Sequence, residues 1–149
     1  MKTKVFVDSS FDEKHEVAGI GIAICKGESR EIISHYIKAK SNNEAEIYAC
    51  YIGGILANNG GEVYTDSQSA IDYISNKISD KPRTQAQYIR HKRCEYWACK
   101  ARRLGVNPIK IKAHVAYFQT HYTGNRLADI ASKDGRSKFY EAKKNEINL

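Results

Sequence analysis

Asp8 and Asp66 stand in matching settings, Val5-Phe6-Val7-Asp8-Ser9 and Val63-Tyr64-Thr65-Asp66-Ser67. In each, a short run of β-branched and aromatic residues ends on a carboxylate, the pattern of a strand handing over to a loop. Aspartate is common at such ends for turn-forming reasons alone, but the same form occurring twice points further. If the two strands are neighbours, the acids lie side by side, and like charges that close are unfavourable unless a proton or a cation intervenes. Hard carboxylate oxygens suit magnesium or manganese. Glu44 and Glu46 add two acids in the first turn of a candidate helix, where the helix dipole favours them in any case. By helical angle they flank the apolar face on opposite sides, so periodicity does not choose between them.

The elements that must position these acids can be read from period and punctuation. Residues 4–8, 16–25 and 30–38 form three consecutive apolar runs with short polar separators, which predicts an antiparallel meander. Gly19 and Gly21 in the second run imply close backbone approach. After Ser41-Asn42-Asn43 the apolar positions Ala45, Tyr48, Ala49, Ile52, Ile55 and Leu56 recur at threes and fours. A helix is expected there, capped by Ser41 or an asparagine and ended by Asn58-Asn59-Gly60-Gly61. A strand over 62–65 and a helix over 67–76 follow. A long helix over 84–104 has Cys94, Trp97, Ala98, Ala101 and Leu104 on one face and Arg90, His91, Lys92, Arg93, Lys100, Arg102 and Arg103 elsewhere. A fifth strand over 107–112 leads into His114, and a loop over 115–122 gives way at Thr123-Gly124-Asn125 to a last helix. A frayed tail is expected from about residue 136, after Gly135. The fold class expected is α/β, one domain over residues 1–149, with a mixed five-stranded sheet of three antiparallel strands plus two parallel ones, flanked by helices.

Composition is consistent with this. The chain has 149 residues, 42% hydrophobic and 28% charged, which is ordinary globular usage. No run approaches the roughly 18 to 20 apolar residues that span a bilayer. The start is too short and too soon polar for a secretory signal. A cytoplasmic monomer with no membrane contact and no evident protein partner is therefore expected. Cys25, Cys50, Cys94 and Cys99 form no CxxC pair, so neither zinc nor a disulfide framework is expected. Lys plus Arg exceed Asp plus Glu by 24 to 17, a net charge of +7. With several acids gathered in one cluster, the remaining surface is more basic still, which suits a polyanion.

Taken in order, these residues resemble the type 1 ribonuclease H family, including the ribonuclease H domains of reverse transcriptases. That family opens with an aspartate at the end of its first strand, as at Asp8. An asparagine box and a glutamate then begin its first helix, similar to Ser41-Asn42-Asn43-Glu44-Ala45-Glu46. The family spacing selects Glu46 and leaves Glu44 as a surface acid. Thr65-Asp66-Ser67-Gln68 resembles its strand-end motif, and Asn125-Arg126-Leu127-Ala128-Asp129 its last helix. Lys112-Ala113-His114 is similar to its loop motif.

The resemblance implies a ribonuclease H-like fold and hydrolysis of the RNA strand of RNA/DNA hybrids by two Mg2+ ions, for which Mn2+ can substitute, leaving 5′-phosphate and 3′-hydroxyl ends. Asp8 would bridge both metals, Glu46 and Asp66 would bind the one near the leaving group, and Asp129 would complete the site that delivers water. His114 would handle a proton or assist product release, with His121 competing for that role. Ser41, Asn42, Asn43, Gln68 and Asn125 would touch the hybrid. Ser9 departs from the family, where glycine is usual, and the stretch after Asp66 has no room for a large basic protrusion. A related DNA nuclease such as a junction resolvase, or a non-catalytic nucleic-acid-binding module, stands as the alternative.

Overall fold

The computed structural model describes residues 2–58, 60–111 and 120–147, the side chains at 120–122 and 147 excepted. Three β-branched-rich runs pair as the meander expected: β1 (Lys4–Asp12), β2 (Val17–Lys26) and β3 (Ser29–Lys38). β1 does not stop at Asp8. It stays paired with β2 as far as Asp12↔Val17, because the apolar N-terminal half of β2 continues the antiparallel ladder past the acid. β4 (Glu62–Thr65) lies parallel to β1 but pairs with it only over Lys4, Val5 and Phe6. Asp8 therefore sits where β1 has left one neighbour and kept the other.

The sheet order is β3-β2-β1-β4-β5, with β5 parallel to β4. β5 is short, Ile109–Lys110, rather than spanning 107–112. Pro108 offers no N–H to a ladder, which limits pairing on its N-terminal side.

Among the described residues, four helices flank the sheet. Those on one side are α1 (Asn42–Ala57), α2 (Gln68–Ile74) and α3 (Gln85–Arg103). α1 covers Val5, Val7, Ile20 and Ile22, with α2 and α3 packed against it. On the other face α4 (Thr120–Ile147) covers Phe6, Ala23 and Cys25. Both faces of β2 are thus buried, which is why its sequence reads as a continuous apolar run instead of alternating. Cys25, Cys50 and Cys94 are buried free thiols within these layers.

α4 corrects two expectations. It starts at Thr120 instead of at Thr123-Gly124-Asn125, and it runs through Gly135 to Ile147. The glycines there serve packing and do not break the helix. A methyl group at Gly135 would collide with the His35 carbonyl, and one at Gly21 of β2 with the Ala128 carbonyl. The segment beyond Gly135 is also tied down. The Tyr140 hydroxyl donates to Asp12, which His15 Nδ1 also meets at 2.8 Å, and Lys138 Nζ donates to the Ser34 carbonyl at 2.8 Å.

Candidate active site

The parallel register of β1 and β4 carries the first two acids. Its partners Phe6 and Tyr64 stack with ring centroids 4.9 Å apart. Two residues further along each strand, with side chains returning to the same face, stand Asp8 and Asp66. The Thr65 hydroxyl accepts from Ser67 N at 3.1 Å, and Lys110 Nζ donates to the Asp66 carbonyl at 2.7 Å, fixing the chain where β4 ends. α1 brings Glu46 in from the other side of the sheet. Carboxylate oxygens of Asp8, Glu46 and Asp66 all lie within 4.8 Å of one another.

Two of these acids are out of water. Asp8 is 8% exposed and Glu46 6%, while Asp66 is exposed. Burial first, then the charges of Asp66 and Asp129, lifts Asp8 to about 7, against a lowering by the Ser9 N–H. Burial, then the charge of Asp8, lifts Glu46 to about 8, opposed by a hydrogen bond from Ser9. One Glu46 oxygen, Oε2, is buried with no hydrogen-bond partner among the described residues. Such an arrangement is costly for ionised carboxylates unless a proton or a cation completes it. The donor set consists of hard oxygens alone, so it fits Mg2+ or Mn2+.

Asp129 reaches the cluster from α4. It lies close enough to Asp8 to act on it through charge and a side-chain hydrogen bond. Its carboxylate is 45% exposed and is held by Lys133 Nζ at 3.2 Å, one helical turn on. That lysine was legible as an i,i+4 partner.

Glu44 is not a surface acid. It is fully buried and accepts from Arg93 Nε at 2.9 Å to both oxygens, from Lys40 N at 2.8 Å and from Trp97 Nε1 at 3.2 Å. A second Arg93 nitrogen lies 2.8 Å from Oε2. The reason is the long basic helix: α3 lies beside α1 and supplies both a guanidinium and an indole donor to a carboxylate that has lost its water.

The structure also assigns the cap of α1. Ser41 is the N-cap of α1, accepting from Glu44 N at 3.1 Å. Asn42 and Asn43 are exposed and are not the cap, and the Ser9 hydroxyl lies 3.4 Å from Asn42 Oδ1. Gln68 opens α2, and its amide donates to Asp72 at 2.9 Å. Asn125, a turn ahead of Asp129, keeps a buried Oδ1 with no partner among the described residues. Lys112, Ala113 and His114 lie outside the described residues, as does the side chain of His121.

A polar groove of about 600 Å³ is lined by Ser41 and Asn43, by Asp80, and by Lys81, Arg83, Arg90 and His91. It shares no residue with the acid cluster. It adjoins the cluster through the first turn of α1.

The sequence model of the RNase H family matches residues 1–137. Among solved structures, the RNase H1 of the halophilic archaeon Halobacterium salinarum NRC-1 is similar, with a TM-score of 0.64 and 18% identity over 91% of this chain and 98% of that one. At that identity the likeness concerns the fold. No curated protein matches the sequence.

Proposed function

The chain belongs to the RNase H family, and from that premise we propose that it hydrolyses the RNA strand of RNA/DNA hybrids with divalent metal ions, leaving 5′-phosphate and 3′-hydroxyl ends. The observation that carries this is the convergence of Asp8, Glu46 and Asp66 within 4.8 Å, two of them buried. Residues 1–149 then form a single catalytic domain. Among the described residues no helix is long and apolar enough to cross a membrane.

Asp8, Glu46 and Asp66 would hold the metal, with Asp129 at the solvent edge. Bound divalent ions supply an activated water on one side of the phosphodiester and charge neutralisation at the leaving oxygen. Asp8 and Glu46, whose carboxyls are raised to about 7 and 8, would have to give up their protons to hold it. Lys133 restrains Asp129. His114 handles a proton on the product side, a role suited to an imidazole that titrates near neutral pH.

Telling RNA from DNA requires reading 2′-hydroxyls across a wide minor groove, work suited to amides. Because Ser41 does the capping, Asn42 and Asn43 are available to present their amides to the RNA. Gln68 and Asn125 join them as amide contacts to the hybrid. The groove lined by Lys81, Arg83 and Arg90 takes the phosphates of the DNA strand.

The test is a comparison of labelled RNA/DNA hybrid, double-stranded RNA and four-way junction DNA, each with Mg2+ or Mn2+. Cleavage confined to the RNA strand of the hybrid is expected, abolished in Asp8→Asn and Asp66→Asn proteins that keep their circular dichroism. Cut junctions with intact hybrid would make the chain a resolvase. Hybrid binding with no cleavage of any substrate would make it a binding module.

A further inference from the structure

α3 has a face that neither the core nor the acid site uses. Tyr88, Lys92, Tyr96 and Lys100 follow one another at four-residue intervals, each rung about 6 Å further along the helix axis. Cys94, Ala98 and Ala101 carry the buried side of the same helix. Tyr88 is 48% exposed and Tyr96 55%. Lys92 Nζ lies 5.5 Å from the Tyr88 ring centre, and Lys100 Nζ lies 5.1 Å from that of Tyr96 and 5.9 Å from that of Tyr51 on α1. Tyr96 is braced edge-on against Trp97, which packs in the same way on Tyr48. The one acid of α3, Glu95, is taken up by Arg102 at 3.2 Å. The strip therefore presents rings and cations alternately, without a compensating negative charge of its own helix.

We propose that this strip binds single-stranded nucleic acid, its tyrosines stacking on bases while Lys92 and Lys100 meet phosphates. Charge complementarity selects a polyanion. The rings select a single strand, because a duplex hides its base faces in the stack and only unpaired bases offer a surface for tyrosine. Lys92 is exposed and Lys100 half-buried, and neither belongs to the core, so their ammonium groups can turn from a ring face to a phosphate without disturbing it. An apolar protein partner would fit poorly on a face where every second rung is an ammonium group. In the cell the occupant would be an unpaired strand extending from a hybrid, a role that rests on the hybrid reading. Affinity for a free single strand does not rest on it.

The experiment measures fluorescence anisotropy of labelled oligothymidylate with the full chain and no divalent ion, so it is independent of catalysis. Tyr88→Ala/Tyr96→Ala should bind roughly tenfold or more weakly, and Tyr88→Phe/Tyr96→Phe should bind like the parent. Lys92→Ala/Lys100→Ala should lower the slope of log affinity against log salt by about 1.4. In parallel, cleavage of a blunt hybrid should be unchanged in the tyrosine double variant, while a hybrid with a single-stranded tail loses its advantage. Equal oligothymidylate binding by parent and Tyr88→Ala/Tyr96→Ala, with both folded by circular dichroism, would overturn the proposal. So would an equal loss on blunt hybrid, which would make the tyrosines part of the duplex groove. If no hybrid is cut but oligothymidylate binding follows the tyrosines, the hybrid reading fails and the strip stands.

Discussion

Replacing Arg93 by alanine tests how the first turn of α1 is held. The Glu44 carboxylate is fully buried and receives five close contacts, three of them from the Arg93 guanidinium. Arg93→Ala removes those three and leaves a buried charge with Lys40 N and Trp97 Nε1 alone. Breaking a buried pair from one side costs about 3 to 5 kcal/mol. The Arg93 side chain is 45% exposed, so water can enter the space it leaves, and about 2 to 3 kcal/mol is the expected loss. Urea denaturation reads it directly. The apolar pair Glu44→Leu/Arg93→Met should be much less destabilised than Arg93→Ala, because neither charge is then stranded. Kinetics add a second readout, since the same turn carries Asn42 and Asn43: KM for hybrid should rise severalfold in Arg93→Ala while kcat changes little. A loss below about 1 kcal/mol, or a double variant as unstable as the single one, would refute the reasoning, because the network would then contribute packing without electrostatics.

Other expectations follow from the acids and from α4. Asp8 and Glu46 have folded-state values raised to about 7 and 8, so between the ordinary carboxylate range and those values the folded chain holds more protons than the unfolded one, and stability falls as pH rises. In chelator, thermal unfolding should therefore occur at lower temperature near pH 8.5 than near pH 5.5, and added Mg2+ should restore most at the higher pH; a Mg2+ effect that is larger near pH 5.5 would contradict this. Asp8→Asn should be as stable as the parent or more so in chelator near pH 8.5, although it cleaves nothing; calorimetry showing it clearly less stable would mean that Asp8 is a structural acid. Gly21→Ala places a methyl group against the Ala128 carbonyl and Ser132 N, both backbone, and should cost about 2 to 3 kcal/mol. It should also lower kcat by displacing α4 next to Asp129, and a normal kcat would show that Asp129 does not depend on that contact.

The meander, the helix after the asparagine box and the two matching strand ends were legible because each rests on a local signal: a period, a cap or an acid closing an apolar run. The convergence of Asp8 with Asp66 followed from placing two similar strands side by side, and the structure adds the sheet order and the register that makes them partners. What was not legible was long-range. Nothing near Glu44 in sequence announces Arg93 or Trp97, so the acid reads as exposed until α3 is laid beside α1. Gly135 reads as a helix stop because the His35 carbonyl that demands its missing side chain lies about a hundred residues away. Pro108 could have shortened the fifth strand on sequence grounds alone. Asn42 and Asn43 could not be separated from capping until Ser41 was seen to take that role.

These long-range contacts share a consequence for the site. Acids crowded within 4.8 Å push their elements apart, and the elements stay because each is fastened elsewhere. β1 and β4 are clamped by the Phe6–Tyr64 stack just below the acids, α1 by the Glu44–Arg93 pair just beside Glu46, and α4 by glycine contacts flanking Asp129 and by Asp12–Tyr140 at its far end. None of these fastenings is itself an acid of the cluster. The folded chain therefore keeps the acids together before any cation arrives, with protons on Asp8 and Glu46 limiting their repulsion near neutral pH. A site built this way would take up metal by exchanging those protons for a cation, so its affinity should depend on the fastenings as well as on the ligands.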